Sequence, residues 1–395
     1  MPNPNAAPPD ETIKRYEAYR TADPDNAALL IALSDLYHRA GRFEDALRCL
    51  ERCLAGHRNH AAARSRLAGV MISMHRFADA EQALRDVLAE AGPDAALLHN
   101  LGVTLCHQRR WPEALAVLRQ AQQLGLDRGE NLAYVTYCLH NLGDLAGAIE
   151  SCRQWLSRHP SAAAEGYLAI LEMDDGNMLA AHQRAAALLA RQPENVDAAL
   201  VEAMWMTEQQ EIDSARACFE RIVQAQPENP RGWLGVGLAN LYLEQNAAAI
   251  EALQTAYRHM PGNVGALTTL AWARFVSRDL AAAEQTFREA IALDRNFGEA
   301  HGGLAITLVF LKRYHEARRE TRIALRLNPK GFGAIYAHGA LMAIDGKRPQ
   351  GEAEIAAALQ RAVMSDGRSL IEHVQTYLRR QIARGSLPKG NAPIQ

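Results

Sequence analysis

The sequence predicts an all-α protein, a right-handed superhelical solenoid of about ten helix-turn-helix units with a C-terminal capping helix. The first observation is a run of alanines spaced 33 or 34 residues apart: Ala46, Ala80, Ala114, Ala148, Ala181, Ala215, Ala249, Ala283 and Ala317. The second is a proline 12 residues after five of them, where a helix has to stop: Pro160, Pro193, Pro227, Pro261 and Pro329. The third is a large apolar residue followed by a small one, about 13 to 16 residues before the alanine, as in "LAGVM" and "LAWAR".

These three markers divide each period into two helices that lie close together. A small residue at a fixed offset lets two helix axes approach, because a larger side chain would force them apart. Glycines at Gly41, Gly143 and Gly176 stand where a short turn between the two helices is expected. A period of this length therefore indicates a repeat array.

Composition and charge narrow the function. The chain has 395 residues, 48% hydrophobic and 22% charged, which is typical of a globular protein. A net charge of −2 argues against a strongly basic nucleic-acid binder. From Lys312 onward, however, 15 Lys and Arg face 7 Asp and Glu, a net of +8, which leaves −10 for the rest. We therefore expect a partner of the C-terminal third to be acidic and its binding to be salt-sensitive.

The pattern resembles the tetratricopeptide repeat family. The clearest copies are "NAALLIALSDLYHRAGRFEDALRCLERCLAGHRN" from Asn26 and "PRGWLGVGLANLYLEQNAAAIEALQTAYRHMPGN" from Pro230. The resemblance implies a chain in six parts: a disordered tail over 1–10, a partial leading repeat (its second helix only) over 11–26, nine repeats over 27–331, a degenerate tenth repeat over 332–366, a capping helix over 367–386 and a disordered tail over 387–395.

Sequence motifs for catalysis, cofactors or metals are weak. No Walker loop, HExxH or GxSxG occurs, and "GVGLAN" at 235–240 falls inside a predicted helix with no strand before it. Cys49, Cys53, His57 and His60 form one stripe of a helix, but a straight helix cannot wrap four ligands around one ion. We therefore expect no catalytic residue, no cofactor and no metal.

The stretch "LAWARFV" at 270–276 has apolar residues on two nearly opposite helix faces. One face, with Leu270 and Ala271, suits a buried seam. By resemblance to the family, the first helix of each repeat lines a concave groove, and the second face falls on groove positions. The predicted peptide-binding groove is apolar: Leu200, Met204, Leu234, Leu238, Leu241, Tyr242, Trp272, Phe275, Val276, Ile306, Val309, Phe310 and Tyr336.

The corresponding positions of repeats three and four give a second, polar groove: His99, Asn100, His107, Tyr134, Tyr137, His140 and Asn141. Two functions follow. The first is a non-enzymatic scaffold or chaperone that binds an apolar helix or extended peptide of another protein, as a secretion chaperone or complex-assembly factor would. The alternative is an enzyme or metal-dependent sensor that uses the His/Tyr/Asn cluster.

The first function is the prediction adopted here. It implies a protein partner, no nucleic acid and no membrane insertion. The apolar groove could instead be filled by the chain's own residues or by a homodimer contact. Residues 1–20 contain no apolar segment of a secretory signal, and the six cysteines sit in helical segments, so we expect a bacterial cytoplasmic protein.

Overall fold

The computed structural model describes residues 9–58 and 60–361, and this part of the chain contains 21 α-helices and no strand. The helices are α1 Pro9–Ala22, α2 Ala27–Arg39, α3 Phe43–Gly56, α4 Ala61–Ser73, α5 Phe77–Ala91, α6 Ala95–His107, α7 Trp111–Gln123, α8 Gly129–Asn141, α9 Leu145–Arg158, α10 Ala162–Asp174, α11 Met178–Leu189, α12 Val196–Glu208, α13 Ile212–Ala225, α14 Pro230–Tyr242, α15 Asn246–His259, α16 Val264–Val276, α17 Leu280–Leu293, α18 Gly298–Phe310, α19 Tyr314–Leu327, α20 Phe332–Ile344 and α21 Arg348–Arg361.

After α1, the helices form ten consecutive pairs joined by short turns, from α2 and α3 to α20 and α21. All nine alanines of the 34-residue series lie in the second helix of a pair and are fully buried. In the tenth pair Gly351 takes this place, directly against the backbone of Gly339, so that even a methyl group would clash there. The predicted all-α fold of repeated helix pairs is confirmed for the described residues.

The N-termini of many first helices are capped by a polar side chain. The first helices of several pairs begin with an Asn or Asp whose side chain accepts a hydrogen bond from the backbone N–H of the first turn, as Asn195, Asn229 and Asn263 do. Such a side chain satisfies an N–H that has no partner within the helix.

The turn inside each pair carries a residue with positive φ, and six of these are not glycine: His75, Arg109, Gln210, Glu244, Arg278 and Lys312.

The chain divides into two compact units, residues 1–171 and 172–395. The first unit has one core around Leu33, Leu50 and Cys53 and another around Leu105, Leu118 and Leu168. In the second unit, one core gathers Ala283, Phe287 and Leu304, and further clusters lie around Leu253 with Leu267 and around Ile306. The larger clusters combine residues of both helices of a pair with residues of neighbouring pairs, and the cluster around Ile306 lies between the first helices α18 and α20.

The first described helix overlaps the tail predicted over 1–10. Helix α1 begins at Pro9, inside the tail predicted over 1–10, because the fixed φ of proline suits the first turn of a helix. The remainder of that tail (1–8), residues 362–366 of the tenth repeat, the capping helix predicted over 367–386 and the tail predicted over 387–395 lie outside the described residues.

Candidate functional site

The last residues of four first helices in the second unit form a row of exposed apolar side chains. Tyr242, Val276, Phe310 and Ile344 are spaced by 34 residues and close α14, α16, α18 and α20. Their exposed fractions are 37, 53, 41 and 44%. We call these four residues the apolar stripe. Ile344 was not among the predicted groove residues, although the 34-residue spacing from Phe310 was enough to find it.

Next to the stripe, three aromatic side chains pack edge to face. The ring of Trp272 lies 5.6 Å from that of Phe275 and 5.4 Å from that of the buried Phe287. Phe275 in turn lies 5.2 Å from Phe310. The second apolar face of "LAWARFV" is therefore shared: Trp272 and Phe275 are half-buried against neighbouring helices, and Val276 is exposed.

Two residues of the predicted groove offer almost no surface. Leu200 and Ile306 are 3 and 2% exposed, and Leu200 also lines the cavity of α12, α14 and α16 described below. Ile306 packs with Ala305 and Ala337, because α18 and α20 approach closely at this level. The assignment of Ile306 as a groove residue is therefore corrected to core, and that of Leu200 stays a prediction.

Six further residues of the predicted groove are half-buried. Leu234 and Leu241 pack against the core around Leu253, and Val309 and Tyr336 pack against the cores of the last repeats. Met204 and Leu238 line the cavity described next. These side chains are therefore shared between the cores and the surface of the first helices.

A cavity of about 410 Å³ lies between α12, α14 and α16, lined by Met204, Leu234 and Leu238 among others. At its edge Arg231 forms a two-pronged ion pair with Asp174, with N–O distances of 3.1 and 2.7 Å. The two residues are 57 positions apart, so the pair reaches over α12. The walls are apolar and the edge is charged, an arrangement typical of ligand pockets.

The seven residues of the predicted polar groove separate into distinct groups in the first unit. His99, Asn100 and Tyr134 line a cavity of about 540 Å³ together with the ion pair of Arg66 and Asp35. Arg66 was not among the predicted site residues, and no signal in the sequence marked it.

In that cavity the Nδ1 atom of His99 lies 3.0 Å from the Oδ1 atom of the fully buried Asn131. The Asn131 amide N–H donates to the Leu118 carbonyl, which turns its oxygen toward the imidazole. His99 Nδ1 is therefore the donor in this hydrogen bond. Burial raises the pKa of the Tyr134 hydroxyl.

The other members of the polar set lie near the ends of their helices. His107 stacks on Phe77 at 4.6 Å, and burial lowers its pKa. Tyr137 lies 6.2 Å from the ring of Tyr167, whose hydroxyl is 2.9 Å from His140 Nδ1. The side chain of Asn141 donates to the Tyr137 carbonyl. No single His/Tyr/Asn cluster forms among these seven residues.

The four residues considered as metal ligands in the sequence do not lie together either. Cys49 and Cys53 are buried in the first core, His57 is exposed, and His60 accepts a hydrogen bond from the Ala63 N–H at the start of α4. Across residues 9–58 and 60–361, no three His, Cys, Asp or Glu side chains gather as a metal site would require.

None of the helices among the described residues combines the length and apolarity needed to cross a bilayer.

Comparison with known proteins gives three kinds of finding. Tetratricopeptide repeat models match residues 9–68, 40–102, 95–123, 208–264 and 237–297, which together cover just over half of the chain. The BBSome complex member BBS4 of Bos taurus is 23% identical over 296 residues, which covers 74% of this chain and 56% of that protein. The chain thus spans little more than half the length of this curated relative.

Solved structures with a similar fold include the human IFIT1 dimer with m7Gppp-AAAA. Its TM-score is 0.53 at 14% identity, over 86% of this chain and 91% of that one. A monomeric IFIT1 mutant with Gppp-AAAA has a TM-score of 0.54 at 15% identity, over 84% of this chain and 90% of that one. At such identities the likeness shows the solenoid fold alone.

Proposed function

The chain belongs to the tetratricopeptide repeat family, and from that premise we propose that it is a non-enzymatic scaffold or chaperone whose second unit binds an apolar helix or extended peptide of a partner protein. Chains of this family are typically protein-interaction scaffolds. The apolar stripe is the binding surface in this proposal, and the half-buried aromatic side chains beside it support it.

The stripe carries the proposal because its members are exposed and recur once per repeat. Tyr242, Val276, Phe310 and Ile344 end successive first helices, so they present apolar surface on the same side of each repeat. Exposed apolar surface on a folded protein, when it is larger than scattered single residues, usually marks a place where another molecule binds. An amphipathic helix or an extended segment would place its apolar side chains on such a row.

The proposed biological form is a complex-assembly factor or secretion chaperone. The match to a BBSome complex member supports a role inside a protein assembly, although it covers only part of that relative. Repeat arrays suit this role, because stacked repeats give an extended surface to a partner.

The test is a cross-linking pull-down from the native cell with the full chain and two variants. Val276→Asp puts a charge on an exposed stripe residue without disturbing a core. The control, Leu293→Asp, puts the same charge on a similarly exposed leucine outside the stripe, at the end of α17. We expect the wild type and Leu293→Asp to capture the same partner. Val276→Asp should weaken its binding by about 2 kcal/mol, roughly 30-fold.

Two results would contradict the proposal. One is a partner captured equally by Val276→Asp, by Phe310→Asp and by the wild type. The other is a failure of the wild type to retain any partner above the level of a matched unrelated repeat protein. Circular dichroism of each variant checks that the helices remain.

A further inference from the structure

Basic side chains flank the apolar stripe in the last three repeats. Arg278 follows Val276 by two residues, Lys312 follows Phe310 by two, and Lys347 follows Ile344 by three. All three are exposed. Each of these repeats therefore ends its first helix with an exposed apolar side chain and then a cation.

The backbone fixes the position of the first two cations. Arg278 and Lys312 both adopt left-handed conformations, with φ of 67° and 61°, directly after their helices. The guanidinium carbon of Arg278 lies 5.9 Å from the centre of the Phe310 ring, so this cation reaches the stripe residue of the following repeat.

The carboxylates near these cations are engaged elsewhere. Asp279 accepts the N–H of Ala282 at the start of α17. Glu284 and Glu316 both hold Arg313, and Asp345 holds Arg318.

Among the described residues, neither Arg278 nor Lys312 lies within 4 Å of a carboxylate oxygen, and both are exposed. The cationic groups beside the stripe are thus available to a ligand.

The charge beside the stripe changes sign toward α14. There the residue two positions after Tyr242 is Glu244, exposed and with a φ of 60°, in the place that Arg278 and Lys312 take later. One repeat earlier, α12 ends with Glu208. A ligand along the stripe therefore meets acidic groups at one end and basic groups over the other three repeats.

We propose that the partner segment is an acidic amphipathic one, with apolar side chains on Val276, Phe310 and Ile344 and carboxylates beside them paired with Arg278, Lys312 and Lys347. This inference rests on the proposed function and names the chemistry of its partner. Charge pairs at the edge of an apolar contact select among partners and set the direction of binding, because a reversed segment would bring like charges together.

The experiment measures fluorescence anisotropy of three labelled synthetic peptides with the full chain. The peptides share one amphipathic leucine pattern and differ only in flanking residues, which are Glu, Lys or Gln. We expect the Glu-flanked peptide to bind roughly tenfold tighter than the Lys-flanked one at low salt, with a smaller ratio at high salt.

A charge-reversed double variant, Arg278→Glu with Lys312→Glu, should remove or invert this preference. Its control, Arg322→Glu with Arg326→Glu, makes the same change in net charge on the exposed side of α19 and should keep the preference. Equal binding of the Glu-flanked and Lys-flanked peptides by the wild type, or equal effects of the two double variants, would overturn the inference.

The Gln-flanked peptide separates this inference from the proposed function. If it binds the wild type and is lost in Phe310→Asp while no charge preference exists, the function stands and the inference fails. If none of the three peptides binds, both fail. A wild type that dimerises in sedimentation experiments and becomes monomeric with Phe310→Asp would assign the stripe to a second copy, which also overturns the inference.

Discussion

The buried imidazole of His301, in the ninth repeat, has a hydrogen-bond partner at each ring nitrogen. His301 Nδ1 lies 2.7 Å from a carboxylate oxygen of Glu320, and its Nε2 lies 3.1 Å from the Arg295 carbonyl. Both partners are acceptors, so both nitrogens must carry a proton for the two bonds to form. The hydrogen bond to Glu320 raises the pKa of His301, burial opposes this, and the Arg295 carbonyl adds to the increase.

This geometry predicts a stability that depends on pH. A raised folded pKa contributes stability that is fully present below the unfolded value of about 6.5 and is lost as pH rises through the folded pKa. We expect the Tm of the wild type to fall over that interval and His301→Gln to flatten the dependence, at a cost of about 1.5–3 kcal/mol in the acidic range. Thermal unfolding at a series of pH values measures both.

The control for this prediction is His315→Gln, because His315 is exposed on α19. It should leave the pH dependence of Tm as it is in the wild type. A pH profile of His301→Gln that parallels the wild type would show that this imidazole is neutral in the folded protein.

At the scale of the helix pair, the turn between the two helices is held by one residue in the left-handed region. In four turns this residue is a glycine, which adopts a positive φ without strain because it has no Cβ: Gly41, Gly143, Gly176 and Gly346. Elsewhere His, Arg, Gln, Glu or Lys adopts the same conformation. A residue other than glycine is disfavoured there, and in repeats eight and nine this position carries the cations beside the apolar stripe.

Two glycine substitutions separate turn conformation from helix propensity. Gly176 has a φ of +80° and no atom within 4 Å of an added Cβ, so Gly176→Ala should destabilise by about 1 kcal/mol through backbone strain alone. Gly69 is helical and equally uncrowded, so Gly69→Ala should stabilise α4 by about 0.5–1 kcal/mol. Chemical denaturation measures both changes, and shifts of the same sign would contradict the assignment.

At the scale of the whole chain, stability should be distributed repeat by repeat. Each repeat packs mainly on its neighbours, so damage at one site is expected to spread along the chain only gradually. The two compact units, 1–171 and 172–395, each contain more than one hydrophobic cluster, which fits this expectation.

Hydrogen exchange of Ala249→Leu tests this distribution. Ala249 is fully buried in α15, and overpacking such a site typically costs about 1–3 kcal/mol. We expect faster exchange in α14–α16 first, with α2–α5 close to wild type. The matched variant Ala248→Leu, at an exposed neighbouring position, should change little. Uniformly faster exchange along the chain would show global rather than local cooperativity.

The repeat architecture could be read from the sequence because its physical requirements are local. A close helix contact needs a small residue at one place in each unit, and all nine predicted alanines are buried at that contact. Prolines stand in the breaks between units, since they cannot continue a helix. The all-α class and the number of helix pairs follow from these markers. They do not depend on the angle between successive pairs.

The accessible surface of the second unit could not be read in the same way, because it depends on how closely successive first helices approach. A Cβ on Gly302 would lie 2.9 Å from the backbone nitrogen of Ala334, so α18 and α20 touch along their backbones. This contact buries Ile306, four residues after Gly302. Within the eighth repeat, Phe287 of α17 packs on Trp272 and leaves it half-buried. Position in the repeat predicts which side of a helix a residue occupies, but the distance to the next helix decides whether that side remains open to a partner.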